Sequence, residues 1–296
     1  MTSNSARVRW FEGRNDVRVY PSFDDLLNSF PAESTYISVR EPGKEPLDFY
    51  WDYRGSDRTL VFFHASLARS VARLPVFLGL SVSTDVSANR LFIADPAHYA
   101  SDDVMIGWFM GTSRWPNYQK LLIGLLAYVQ ARFGQERIAL FGPSAGGYAS
   151  LFYSSFLAGS IAIPVNPQTD LTLRSDAEIR PLCKFAWDLD VAMYDPFRLV
   201  PAAKEVIGIY SRPTSNLVLY VQNDKDSTHV DLHMRPFEAA LHPDVTYTRL
   251  SADWGPGHVA PPKEFTQCLL TAIAAGTPYS DIPEQLEGIS IRHHSR

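Results

Sequence analysis

The sequence predicts an α/β fold: a mostly parallel central sheet with helices on both faces, N-terminal antiparallel strands and an inserted lid. Three observations predict it. Short unbroken apolar runs recur along the chain, as strands covered on both faces require. Segments with helical periodicity separate those runs, and strand–helix alternation is built by parallel pairing. A glycine-rich turn at 141–147 joins one apolar run directly to a small-residue segment. The 296 residues are 46% hydrophobic and 20% charged, ordinary for a chain that buries a core. No repeat or linker divides them, so they read as a single domain over 1–296.

The first strand-like runs, 7–11, 17–20, 36–40 and 48–53, are separated by Glu12-Gly13, Pro21-Ser22 and Glu41-Pro42-Gly43. They read as an antiparallel region leading into the main sheet. Buried strands are predicted at 59–63, 91–94, 137–141, 161–165 and 217–221, with an alternating edge strand at 245–250. Between them, 117–133 places apolar residues at 121, 122, 125, 126 and 129, one face of a helix that Gly134 stops. Further helices are predicted over 145–158 and 261–275, the latter with Pro261 near its start and Gly276 past its end. From 170 to 215 the alternation breaks into aromatic and proline-rich fragments, which predicts an inserted lid or a long surface crossover.

Composition excludes several function classes. A net charge of -5 disfavours nucleic acid as the main partner, because neutralising phosphates needs a basic face. The longest apolar candidate, 121–129, is too short for a membrane span. The N-terminal residues lack the basic-then-apolar order of a secretory signal. Cys183 and Cys268 make neither a disulfide framework nor a zinc knuckle, so free thiols and a cytoplasmic location are expected.

Phe141-Gly142-Pro143-Ser144-Ala145-Gly146-Gly147 carries the chemistry. Gly-x-Ser-x-Gly between a buried strand and a helix makes a sharp turn with a strained, outward-pointing serine, and small flanking residues let strand and helix approach. Ser144 would then sit at a helix N-terminus, where partial positive charge favours a developing anion. The Ala145 N–H is the expected first oxyanion donor. A tight glycine turn with an incidental serine is the plainer alternative.

On these residues the chain resembles the α/β-hydrolase superfamily of serine esterases, lipases, thioesterases and related acyltransferases, over roughly 59–275. The resemblance implies an acid after a later strand and a histidine after the last one. His258, in the glycine-rich loop 254–262, matches the histidine, and Asp226 the acid, if Asn223 takes the left-handed turn position. Asp224 and Asp170 stay open as alternative acids. The second oxyanion donor would be the N–H of Ser66 or Ala65, where the family often carries glycine. His64 is expected to brace that loop.

Asp226-x-x-His229-x-x-x-His233 has a helix-face metal spacing, but no cysteine or glutamate stands nearby to complete it. No metal and no cofactor are expected. His229 is instead assigned to the pocket lining or the acid loop. Aromatic walls are expected from Trp108, Phe109, Trp115, Phe185 and Trp187, with Trp115, Asn166 and Gln168 as substrate contacts.

The stretches Asn117-Tyr118, Phe141 to Tyr148 and Asn166-Pro167-Gln168-Thr169 also resemble α/β-hydrolase-type proteins of bacterial surface-glycan and accessory-secretion gene sets. That resemblance implies a cytoplasmic enzyme acting on a glycan, glycoprotein or activated sugar. The sequence therefore predicts a serine-dependent acyl-transfer enzyme of the esterase type, acting on an acylated glycan or a small ester. A glycan O-acyltransferase and a non-catalytic scaffold subunit of a surface-glycan assembly are the alternatives. Transfer from a nucleotide sugar is disfavoured, since no acidic metal motif or phosphate-cradling loop is present.

Overall fold

The computed structural model describes residues 7–68, 70, 71, 73–286 and 292–295. Its strands are β1 (Val8–Arg9), β2 (Val17–Tyr20), β3 (Thr35–Val39), β4 (Leu47–Asp52), β5 (Arg58–Phe63) and β6 (Arg73–Leu74), followed by β7 (Asn89–Ile93), β8 (Arg137–Pro143), β9 (Ile161–Val165), β10 (Leu217–Asn223), β11 (Thr246–Ala252) and β12 (Arg292–Ser295). Ten of them form one sheet in the order β12-β11-β10-β9-β8-β5-β7-β4-β3-β2. The run β7-β5-β8-β9-β10-β11 is parallel throughout. β4 is antiparallel to both its neighbours, and β12 is antiparallel to β11.

Two differences from the sequence reading lie at the N-terminal end. β2 pairs with β3 in parallel, not antiparallel. A short helix α1 (Phe23–Asn28), capped by the Ser22 side chain on the Asp25 N–H, separates them, and a helical crossover returns the chain in its original direction. The 7–11 run shortens to β1, which pairs with β6 outside the main sheet.

β5 shows how the sequence places two cores. Its residues alternate faces: Val61 and Phe63 join the cluster holding Trp51, Tyr153 and the helix α2 (Tyr118–Phe133), while Leu60 and Phe62 join Phe141, Leu250 and the helix Lys263–Ala274. α2 buries Leu122, Leu125, Leu126 and Val129, the stripe its periodicity demands. α3 (Ala145–Ser154) buries all ten residues; its small side chains let it lie against the sheet. The 170–215 segment leaves and returns through one neck, where Leu171 N–H donates to Lys204 O (2.8 Å) and Val206 N–H to Thr169 O (2.9 Å). Among the described residues no helix is long and apolar enough to cross a membrane.

Two predictions follow from this packing. A Cβ on Gly146 would stand 2.6 Å from Phe63 O and 2.9 Å from His64 O, both rigid backbone. Gly146→Ala should therefore destabilise the fold by about 1–3 kcal/mol, read as a lower denaturation midpoint. Burial also holds His64 and His233 down at about 4, and His98 well below its ordinary value. Burial pushes Asp95 up to about 6. On acidification from pH 7 to 5 the unfolded chain protonates three imidazoles that the folded chain keeps neutral, whereas the folded chain gains one proton at Asp95. The unfolded state binds more protons, so the unfolding temperature should fall across that range. A rise would contradict the assignment.

Candidate active site

The turn after β8 is built from backbone contacts. Ser144 lies at φ 52°, ψ -111°, a region that L-residues rarely occupy. Its N–H donates to Val165 O (2.8 Å), anchoring the turn to the neighbouring strand. A Cβ on Gly142 would collide with the Gly146 backbone, and one on Gly147 would lie 2.7 Å from Pro167 Cβ. All three glycines are therefore required by close approach. As the first helical residue, Ala145 carries one of the donors that the helix cannot satisfy itself.

The Ser144 hydroxyl accepts a hydrogen bond from Gln168 Nε2 (2.8 Å). The amide orientation is fixed from behind, because Trp108 Nε1–H, which can only donate, bonds to Gln168 Oε1 (2.7 Å). Trp108 and Phe109 both have positive φ, 53° and 56°. Phe109 is held in place by Asp95 Oδ2 on its N–H (2.8 Å) and by the Tyr153 hydroxyl on its carbonyl (2.5 Å).

Asp226 follows β10 and is 2% exposed. Its carboxylate meets His258 Nδ1 at 2.5 Å and His229 Nδ1 at 2.9–3.0 Å. The two imidazoles stack on one another, centroids 4.0 Å apart and planes 20° from parallel. Burial alone would raise the Asp226 carboxyl, but the hydrogen bonds from His229 and His258 outweigh it and hold the group well below the usual carboxylate range. The buried His229 imidazole is lowered by desolvation. His258 stands in a loop with Gly255 and Gly257 at positive φ, its side chain 42% exposed.

Asn223 is the last residue of β10 and does not adopt a left-handed turn. Its side chain acts as a staple instead: Nδ2 donates to the carbonyls of Gly255 and Gly257 (2.8 Å each), and Oδ1 accepts from the N–H groups of Lys225 and Trp254. The acid and histidine loops are thereby joined. Of the three candidate acids, Asp226 is the one hydrogen-bonded to His258. Asp170 caps Leu171–Leu173 through the Thr172 N–H, at the neck of the 170–215 segment.

A cavity of about 360 Å³ brings together Ser144, Gln168, Asp226, His229, His258 and Ser66. The loop carrying Ser66 is braced by His64, whose Nε2 accepts from the Asp95 N–H (3.2 Å), so Nδ1–H donates to Ala65 O (2.7 Å). Ile106, Arg174 and Glu178 complete much of the wall. Sequence reasoning missed all three. Arg174 and Glu178 form an i,i+4 ion pair, a pattern that ordinarily marks a solvated face.

Two expected substrate contacts lie elsewhere. Trp115 is buried, donates its Nε1–H to Glu45 O (2.8 Å) and lines a separate groove beside Lys44 and Phe23. Asn166 spends its amide on the backbone: Oδ1 accepts from the Asn223 N–H (2.7 Å), and Nδ2 donates to Val259 O (2.8 Å). Nor do the aromatic walls line the cavity. Trp108, Phe109 and Trp187 pack in the core, and Phe185 packs against it, because large apolar rings gain more from full burial than from a wet rim. His233 is drawn off too, its Nδ1 accepting from the Thr169 N–H (3.2 Å). Ligand atoms of Asp226, His229 and His258 lie within 4.8 Å of one another, a spacing that would admit a metal ion. In the structure the two Nδ1 atoms face the carboxylate as hydrogen-bonding partners.

The sheet order, the turn after β8 and the loops after β10 and β11 are those of the α/β-hydrolase fold, which this chain has. The capsule O-acetyltransferase of Neisseria meningitidis serogroup A shares it: 13% identity, covering 80% of this chain and 94% of that one, with a TM-score of 0.57. The same acetyltransferase in complex with caged gadolinium superposes with a TM-score of 0.52 at 15% identity, covering 84% and 93%. An esterase of Pyrococcus furiosus gives 0.49 at 14% identity, covering 82% and 91%. No family model and no curated protein matches the sequence.

The tie through Asn166 makes a prediction. Asn166→Ala leaves the buried Asn223 N–H without its acceptor, and should cost about 1–3 kcal/mol in a denaturation titration. An unchanged midpoint would contradict the role.

Proposed function

We propose that the protein is a serine-dependent acyl-transfer enzyme of the esterase type, with Ser144 as nucleophile, His258 as general base and Asp226 as the acid that orients it. One observation carries the reading: His258 is held by a buried carboxylate at 2.5 Å, in the cavity that also contains a strained serine at a helix N-terminus. The Ser144 hydroxyl attacks an ester carbonyl as its proton passes to His258 Nε2. Asp226 keeps Nδ1 protonated and stabilises the imidazolium. The N–H groups of Ala145 and of Ser66 or Ala65 receive the oxyanion. The leaving alcohol takes the proton from His258, and the acyl-serine then passes to the next acceptor.

Water as acceptor makes an esterase for an acylated glycan or small ester; a sugar hydroxyl makes an O-acyltransferase. The likeness in fold to a capsule O-acetyltransferase and the charged and hydroxyl-bearing side chains in the cavity wall favour giving the second reading equal place. The 170–215 segment serves as the lid, since Arg174 and Glu178 reach the cavity from it. Two free cysteines suit work in the cytoplasm.

A fluorophosphonate probe should label the protein, and Ser144→Ala should abolish both labelling and hydrolysis of p-nitrophenyl acetate. Asp226→Asn should lower kcat by about 10³–10⁴-fold while the serine remains present. A folded wild type that resists the probe would overturn the reading.

A further inference from the structure

Gln168 touches the oxygen that reacts. Its Nε2 lies 2.8 Å from Ser144 Oγ, and its side chain is buried at the edge of the same cavity. An amide can meet a hydroxyl in two ways. With Oε1 forward it would accept the Ser144 proton and compete with His258 for it. With Nε2 forward it donates to a lone pair of Oγ and leaves that proton for the base. Trp108 decides between the two. Its Nε1–H, 2.7 Å from Oε1, can only donate, so it holds the carbonyl end of the amide away from the serine.

Trp108 is itself firmly placed. It is buried at φ 53°, and Phe109 follows at φ 56°. Consecutive non-glycine residues in this region are costly and persist only where their surroundings hold them. Here Asp95 Oδ2 accepts from the Phe109 N–H (2.8 Å), and the Tyr153 hydroxyl donates to Phe109 O (2.5 Å). The indole packs in the core and not in the cavity wall. It reaches the serine through Gln168.

We infer that Gln168 is a catalytic residue whose Nε2–H stabilises charge on Ser144 Oγ, and that Trp108 is the positioning residue that keeps the amide donating. This rests on the acyl-serine reading and adds a donor at the nucleophile, separate from the N–H groups expected at the carbonyl oxygen. In acylation the Oγ proton passes to His258 Nε2 while Oγ bonds to the acyl carbon. The bond to the leaving oxygen then breaks, and that oxygen takes the proton. In deacylation the acceptor oxygen bonds to the acyl carbon as its proton passes to His258. The bond to Oγ breaks, and Oγ recovers the proton. Negative charge thus gathers on Oγ once in each half-reaction. A hydrogen bond to a charged oxygen is stronger than one to a neutral hydroxyl. The donor therefore stabilises both transition states more than the resting enzyme. Gln168 keeps both amide protons throughout.

The test combines kinetics with one resonance. Gln168→Met keeps the side-chain length and removes the donor. With p-nitrophenyl acetate it should lose about 10- to 100-fold in kcat. Because both half-reactions slow alike, KM should stay within about twofold. The rate constant for fluorophosphonate labelling should fall with kcat, since the probe also needs Oγ to attack. Trp108→Phe should slow both reactions by less. The double variant should be no slower than Gln168→Met, because Trp108 acts through the amide. An unchanged kcat, a loss confined to KM, or additive losses in the double variant overturns the inference. The second arm needs neither catalysis nor a core substitution. A side-chain amide proton of Gln168, assigned by its absence in Gln168→Met, should move upfield in Ser144→Ala, where its acceptor is gone. A resonance that stays in place also overturns the inference. A folded wild type that the probe does not label instead counts against the serine, a distinct result.

Discussion

At the centre of the molecule a helix touches a strand through bare backbone. Gly146, in the first turn of α3, rests on the carbonyls of Phe63 and His64 at the end of β5. Contact at that range forces the chain between β8 and α3 to reverse within a single residue, and Ser144 takes the strain at φ 52°. The same contact sets the loop after β5 beside the helix N-terminus. Ser66 of that loop and Ser144 thereby come to line one cavity. Glycine is required there for proximity, and the strained serine turn is a consequence of that proximity.

Electrostatics then concentrates on one carboxylate. Asp226 is almost wholly removed from water, which by itself would favour its neutral form. Two imidazole N–H groups reverse that preference. The cost of burying the charge is thus offset by hydrogen bonds that also fix ring tautomers, leaving both Nε2 atoms as acceptors. Asn223 and Asn166 tie β9, β10 and the loop after β11 together around this carboxylate. Their side chains do what a continuous ladder does within a sheet, at the place where the ladder ends.

The cavity is rimmed by charge and hydroxyls, and the rings that might have lined it are spent in the core. Arg174 and Glu178 pair with one another in the wall of the cavity that also holds Ser144.

Local pattern alone determined the alternation of strands and helices and the glycine turn with its serine, while the expectation of an acid loop and a histidine loop came from the resemblance that this turn carries. Each depends on spacing within a few residues: unbroken apolar runs, a 3.6-residue stripe, small residues flanking Ser144. What only the tertiary structure decided was partnership. Asn166 and Trp115 are polar-tipped residues at plausible positions, and nothing in their neighbours along the chain reveals that Val259 O and Glu45 O consume them. Gln168 reads as a ligand contact until Trp108, sixty positions earlier, fixes its amide toward the serine. Arg174 and Glu178 look like any solvated helical pair until the neck at 169–171 and 204–206 folds them over the cavity. A short-range pattern states what an element is; which groups a side chain meets is set by strand order and by where long excursions return.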